Sequence, residues 1–289
     1  MAREMGERTE MAFALNSLGI LAGMHGDYAE EVEFFRESLS LYRALGDRRR
    51  VAVLLNNLAI AHRLMGAYDE AERLSRESLA LSRTMGNRRG MARALQHLAL
   101  VAHVQGAYPE AERYYRESLE LFREIGDRWG IALTLGNLGD LAYRRGEYAA
   151  AETVLEESLT LRREMNDRWG TVLALNTLGG VARARGDLQK AERCFRSALH
   201  ESLALRSETM VMEVFVEWAQ LLMAQGNAQQ AVEMLALVAH HPATEEWTRD
   251  MAEHLLEEVS AALPPDVAAD ARRRGRARSP EQAVAALTP

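Results

Sequence analysis

Gly26, Gly66, Gly106, Gly146, Gly186 and Gly226 recur at an unbroken interval of 40 residues, and the sequence around them repeats in phase. Leu15-Asn16-Ser17-Leu18-Gly19 returns as Leu55-Asn56-Asn57-Leu58-Ala59, Leu95-Gln96-His97-Leu98-Ala99, Leu135-Gly136-Asn137-Leu138-Gly139 and Leu175-Asn176-Thr177-Leu178-Gly179. Arg36-Glu37-Ser38-Leu39 returns at Arg76 and Arg116, with Glu156-Glu157-Ser158-Leu159 a fourth copy. A fixed period of this size specifies stacked supersecondary units, each burying its apolar face against its neighbours. Such stacks build grooves rather than closed pockets, which moves the functional expectation from chemistry towards binding.

Within a unit the apolar residues recur at three and four, the helical spacing, as in Ala92, Leu95, Leu98, Val101 and Ala102. Gly46, Gly86, Gly126 and Asn166 stand where a helix ends in a left-handed residue. Asp47, Asn87, Asp127 and Asp167 follow at once and suit the N-cap of the next helix. In Gly106-Ala107-Tyr108-Pro109, the proline is expected at the first helical position. Each unit therefore reads as helix A, a glycine-centred turn, helix B and a capped turn, with helices of roughly 15 to 18 residues.

Bulk properties narrow the rest. Hydrophobic residues at 48% and charged residues at 27% are those of a folded chain. The net charge of −7 argues against nucleic-acid binding. The single cysteine, Cys194, excludes an internal disulfide. No apolar stretch is long enough for a membrane span, and the start lacks a secretory signal, so a cytoplasmic protein is expected. Lys190 is the only lysine and lies outside any Gly-Lys-Ser/Thr setting, so no Walker-type nucleotide site is expected.

These residues resemble the tetratricopeptide repeat family. Leu18, Gly19, Gly26, Tyr28 and Ser38 carry the resemblance in the first unit; Leu58, Ala59, Gly66, Tyr68, Ala71 and Ser78 carry it in the second. Ala111, Ala151, Ala191 and Ala231 take the close-contact position of helix B further on. The period is longer than the usual ~34 residues of that family. WD40 blades would need alternating strands, and HEAT repeats would not explain the recurring Gly-x-Tyr. The resemblance implies an all-α, right-handed α-solenoid superhelix over residues 1–241, in repeats near 7–46, 47–86, 87–126, 127–166, 167–206 and 207–241. Residues 242–289 would form C-terminal capping helices and a basic tail. Residues 3–8 resemble the repeat junction at 163–168, which reads as the remnant of a preceding repeat. The sixth unit is degenerate. After it, residues 244–263 read as one amphipathic helix using Trp247, Met251, Leu255 and Leu256, ended by Pro264-Pro265. A short last helix then starts at Ser279-Pro280, and the arginine-rich stretch from Arg272 to Arg278 between them reads as solvated tail. Gly275-Arg276-Ala277, Ser279, Glu281, Ala283 and Val284 resemble the closing motif of bacterial regulators that join a STAND-type nucleotide switch to such an array, often with a LuxR-type DNA-binding domain.

The resemblance also implies that helix A lines a concave groove. By phase, the groove positions hold Asn16, Asn56, Asn57, Arg63, Arg93, His97, His103, Asn137, Asp140, Tyr143, Arg144, Asn176 and Arg183. Asparagine is a poor helix former, at about 0.5 kcal/mol against alanine, so its return in mid-helix asks for a partner. That partner is either the backbone of a bound peptide or a neighbouring helix A, and the sequence leaves both open. The chaperone-tail clamp of some family members fits poorly: Asn57 and Arg93 match it, while Asn16, Ile20 and His97 do not. His97 and His103 are six apart, the wrong spacing for two ligands on one helical face. No metal or cofactor is expected, and no catalytic motif occurs. Trp129 and Trp169 are expected to pack at repeat junctions, and Cys194 to lie in the core.

The expected function is binding of a protein or peptide ligand in the groove, as the sensor or partner-binding part of a bacterial regulator. A stand-alone adaptor that assembles other proteins is the alternative, with an enzyme whose site lies at the solenoid's ends a distant third. Self-association through the uncovered first repeat is expected from Met11, Phe13, Ala14 and Leu18; a membrane or nucleic-acid partner is not.

Overall fold

The protein is described by a computed structural model over residues 2–287, in which every regular element is an α-helix and no strand occurs among the described residues. The chain divides into two units, Met1–Thr134 and Leu135–Pro289, each taken by itself below.

The first unit holds α1 (Ala2–Met24), α2 (Tyr28–Ala44), α3 (Arg48–Leu64), α4 (Tyr68–Thr84), α5 (Arg88–Val104), α6 (Tyr108–Glu124) and the start of α7 (Arg128–Arg144). From α2 to α6 each helix has 17 residues. Their ends follow the sequence chemistry. Asp47 accepts the Arg50 amide at 3.0 Å, Asn87 that of Gly90 at 3.1 Å and Asp127 that of Gly130 at 3.0 Å. Gly86, at φ +62°, turns the chain where a Cβ would strain the backbone. Pro109 lies one residue inside α6, second rather than first. The expected junction at residues 3–8 is absent. α1 runs through it as one helix of 23 residues.

Helix pairs lock through a repeated polar contact. Ser38, Ser78 and Ser118 on helix B donate their hydroxyls to the carbonyls of Ala12, Ala52 and Ala92 on the preceding helix A, at 2.7, 2.9 and 2.8 Å. All three serines are fully buried. A serine is small enough to let the helices close and supplies a second acceptor-directed bond to a carbonyl already in its helix, worth about 1 kcal/mol each. The layers between are filled by Phe35, Leu55, Leu95, Tyr115 and Phe122.

The second unit holds the rest of α7, then α8 (Tyr148–Glu164), α9 (Arg168–Ala184), α10 (Leu188–Ala204), α11 (Glu208–Ala224), α12 (Ala228–His240), α13 (Glu246–Ala261), α14 (Pro265–Ala277) and α15 (Pro280–Leu287). Here the frame is less regular. Arg162 is buried, donating to Asp167 at 2.8 Å and Ser158 at 3.1 Å. Helix α11 is apolar nearly all round, from Met210 to Leu222, because α10, α12 and α13 all pack on it. Cys194 is buried in this core.

The basic stretch is helical rather than a tail. Arg272, Arg273, Arg274 and Arg276 lie in α14, which packs on α12, and Arg278 follows it. Arg273, Arg274, Arg276 and Arg278 stay exposed to solvent, as expected. The backbone carbonyl of Glu233 lies 2.1 Å from where a Cβ on Gly275 would stand, so only glycine permits this approach. Arg274 donates to Glu233 at 2.8 Å and also pairs with Asp270, while Arg272 reaches Ser260 at 3.1 Å. Trp247 does not join the apolar face expected of α13; it is 67% exposed, while Leu256 is buried. No described helix is long and apolar enough to cross a membrane.

Candidate functional site

Each unit carries a groove on its helix-A side. In the first unit the walls are α3 and α5, with the first turns of α7, enclosing about 940 Å³. Helical periodicity places Asn56, Asn57, Ile60 and Arg63 along one strip of α3, and Arg93, Gln96, His97 and Leu100 along the equivalent strip of α5. Arg49, Arg88 and Arg89 enter from the helix starts and Trp129 from α7. Five arginines therefore face this space and no carboxylate lines it. Arg88 is paired with Glu124 at 2.7 Å and Arg89 with Asp127 at 3.2 Å. Arg49, Arg63 and Arg93 form no ion pair among the described residues.

Three buried polar atoms on these walls have no hydrogen-bond partner: Asn56 Oδ1, Arg63 Nε and His97 Nδ1. Burial, then the charges of Arg63 and Arg93, hold the His97 imidazole down at about 4, so it is neutral near pH 7. Gln96 is satisfied inside the wall, donating to Thr134 at 3.2 Å.

The second unit's groove, about 320 Å³, lies among α7, α9, α11 and α13. Its charge is of the other sign. Asp140, Glu213 and Glu217 line it against Arg144, with Trp247, Val216 and Met251 as an apolar wall. Asp140 pairs with Arg144 at 3.0 Å. Burial raises the carboxyls of both Glu213 and Glu217; Glu245 adds to the first, while Arg183 opposes the shift of the second.

The thirteen groove positions read from phase divide accordingly. Asn56, Asn57, Arg63, Arg93 and His97 come together in the first groove. Asp140, Tyr143, Arg144 and Asn176 come together in the second. Arg183 stands behind that one, reaching the Tyr143 hydroxyl and Glu217 at 3.4 Å each. Asn16 lies beside the first groove, accepting from Asn57 across helices at 3.5 Å, so Asn57 bridges neighbouring helices A while also lining the groove. His103 packs edge-on against Tyr108 and Tyr115, with ring centroids 5.9 and 6.4 Å away. Asn137 is half-buried on α7 and lines neither groove.

Several lining residues escape the phase argument. Arg49 and Arg89 are 40 apart at the second helical position, a recurrence visible in the sequence. Trp129 and Trp169 take the same position and are 54% and 55% exposed, so they do not pack at junctions: that position faces away from the adjoining helix B. Glu213 and Glu217 sit in the degenerate sixth unit, where the motif no longer marks the groove face.

Comparison with known proteins agrees with this frame. Tetratricopeptide repeat models match residues 14–45, 32–84, 50–124, 90–164 and 130–200, more than half of the chain. No curated protein matches significantly. Among solved structures, the apo quorum sensor NprR from B. thuringiensis is similar over 96% of this chain and 76% of its own, at TM-score 0.73 and 16% identity. A STAND protein with a tetratricopeptide repeat sensor from Pyrococcus horikoshii gives TM-score 0.71 at 15% identity, over 99% of this chain and 45% of its own. A Rap protein complexed with Competence and Sporulation Factor gives 0.67 at 14%, over 96% and 76%. At these identities the likeness is one of fold. The chain is a helical-repeat scaffold and belongs to the tetratricopeptide repeat family.

Proposed function

We propose that the protein binds peptide segments through the first unit's groove, as the sensor or partner-binding part of a bacterial regulator. The observation that carries this reading is the set of unpartnered buried polar atoms on one groove, Asn56 Oδ1, Arg63 Nε and His97 Nδ1. Leaving such atoms unsatisfied costs about 1–3 kcal/mol each, and an extended peptide backbone offers both donors and acceptors to them. The volume is within the range of ligand sites. The sensor role draws on the similarity to a STAND protein with a repeat sensor and to a Rap protein solved with a signalling factor.

The test is binding of the full chain to an array of mixed-sequence short peptides. Bound peptides should compete with one another, and Leu100→Trp, which puts a bulkier ring on the α5 strip that faces the groove, should weaken them all. Absence of any binding peptide overturns the reading.

The uncovered face of α1 supports self-association as a second partner. Met11, Phe13, Leu21 and Met24 are 52%, 62%, 51% and 78% exposed on one helix. Sedimentation should show concentration-dependent dimers, and a clean monomer at high concentration speaks against it.

A further inference from the structure

We infer that the occupant of the first unit's groove is an acidic peptide segment, its carboxylates held by Arg49, Arg63 and Arg93. This rests on the peptide-binding reading above and adds the chemistry of what is bound. In the whole chain 42 acidic residues outnumber 35 basic ones, and arginines elsewhere are commonly paired, as Arg43 is with Glu77 and Arg83 with Glu117. Yet three arginines line this groove without an acidic partner, on walls that hold no carboxylate. A carboxylate entering the groove can accept two parallel hydrogen bonds from a guanidinium left unpaired in this way.

Two further features fit a peptide acid rather than a simple anion. Asn56 is 6% exposed, and its Oδ1 is an acceptor without a donor, which a carboxylate or phosphate cannot supply but a peptide N–H can. His97 is neutral, so beside the arginines stands an uncharged group able to exchange hydrogen bonds with the backbone. A nucleic acid fits less well. The chain's net charge of −7 opposes a long polyanion, and Trp129 is the only Trp, Tyr or Phe lining the groove, where single-strand sites stack successive bases on several such rings.

The experiment is fluorescence anisotropy with the full chain and three labelled probes of one length: a glutamate-rich peptide taken from the best acidic array hit, its all-glutamine counterpart, and a single-stranded oligonucleotide of equal charge. The glutamate peptide should bind on the order of tenfold more tightly than the glutamine one, and the array hits should be enriched in Asp and Glu. The double change Arg63→Ala with Arg93→Ala should abolish the preference, so that the variant binds the glutamate and glutamine peptides equally. Arg93→Ala alone, on an exposed side chain, should give part of that loss and serves where the double variant folds poorly. Hits of no charge preference, or a double variant that still prefers the glutamate peptide, overturn the acidic occupant while peptide binding stands. Tighter binding of the oligonucleotide also overturns it. If no peptide binds at all, the functional reading falls with it.

Discussion

Arg93 and His97 in the third repeat, and Glu213 and Glu217 in the sixth, occupy the same two positions of helix A, three periods apart. One pair faces a groove of five arginines; the other belongs to a groove with three carboxylates. The helices that carry them are both 17 residues long and capped in the same way, by Asn87 and by Ser207. Groove charge is thus decoupled from the frame. Positions that meet helix B are held to alanine, serine, leucine and aromatic residues by packing, whereas the groove face tolerates inversion of sign because packing does not decide it.

The comparison breaks most sharply on binding. Arg63→Glu with Arg93→Glu should lower affinity for an acidic peptide by about a hundredfold, roughly 2.7 kcal/mol, whereas Glu213→Gln should leave it unchanged. Titration calorimetry on both variants reads this directly; equal losses would mean that charge in the first groove is incidental.

Next in size is a pH effect. His97 titrates at about 4 in the folded chain against 6.5 when unfolded. Its folded value is depressed, so its contribution is full above pH 6.5 and falls away as pH drops through that value towards 4. The loss reaches about 2 kcal/mol at pH 5. Denaturant unfolding of His97→Gln, set against the native chain at pH 7 and pH 5, should show a flatter dependence for the variant.

A smaller effect separates backbone recognition from charge. Asn57→Ala should weaken acidic and neutral peptides alike, by about 1 kcal/mol, while stability moves by no more than about 0.5 kcal/mol, since alanine is the better helix former and the Asn16 contact is long. A melting-temperature drop with affinity intact would assign Asn57 to bridging α1 and α3 alone.

The smallest change has the opposite pH sign to that of His97. Glu213 has its carboxyl raised by burial and by Glu245, so its ionised form opposes folding at neutral pH. Glu213→Gln should gain about 0.5 kcal/mol at pH 7, a gain that disappears below pH 4.5. Thermal melts at the two pH values check it.

What was legible in the sequence follows the same division. Turn glycines, the Asp and Asn caps at 47, 87, 127 and 167 and the buried apolar strip answer to backbone geometry and packing, and these recur in phase with the repeat. The serines at 38, 78 and 118 were readable as small residues but not as donors to the partner helix, because that bond depends on how closely two helices approach. Helix α14 went unread because its arginine run has no apolar period; its docking comes from Gly275 against Glu233 and from the Arg274 ion pairs. The grooves were only partly readable. Phase brought Asn56, Asn57, Arg63, Arg93 and His97 to one surface, but it could not separate His103, which turns to Tyr108 and Tyr115, nor find Glu213 in a repeat whose motif has decayed.

The serine-to-carbonyl lock has a genetic consequence. In the first unit its donor and acceptor are spaced by the same 26 residues in three successive pairs. Unequal recombination between two such copies would excise or duplicate a block of whole repeats in register, and the new junction would reuse a lock the array already makes. Array length can therefore drift between lineages with little structural penalty, and each gained or lost copy resets how many side chains of chosen charge are offered to a ligand.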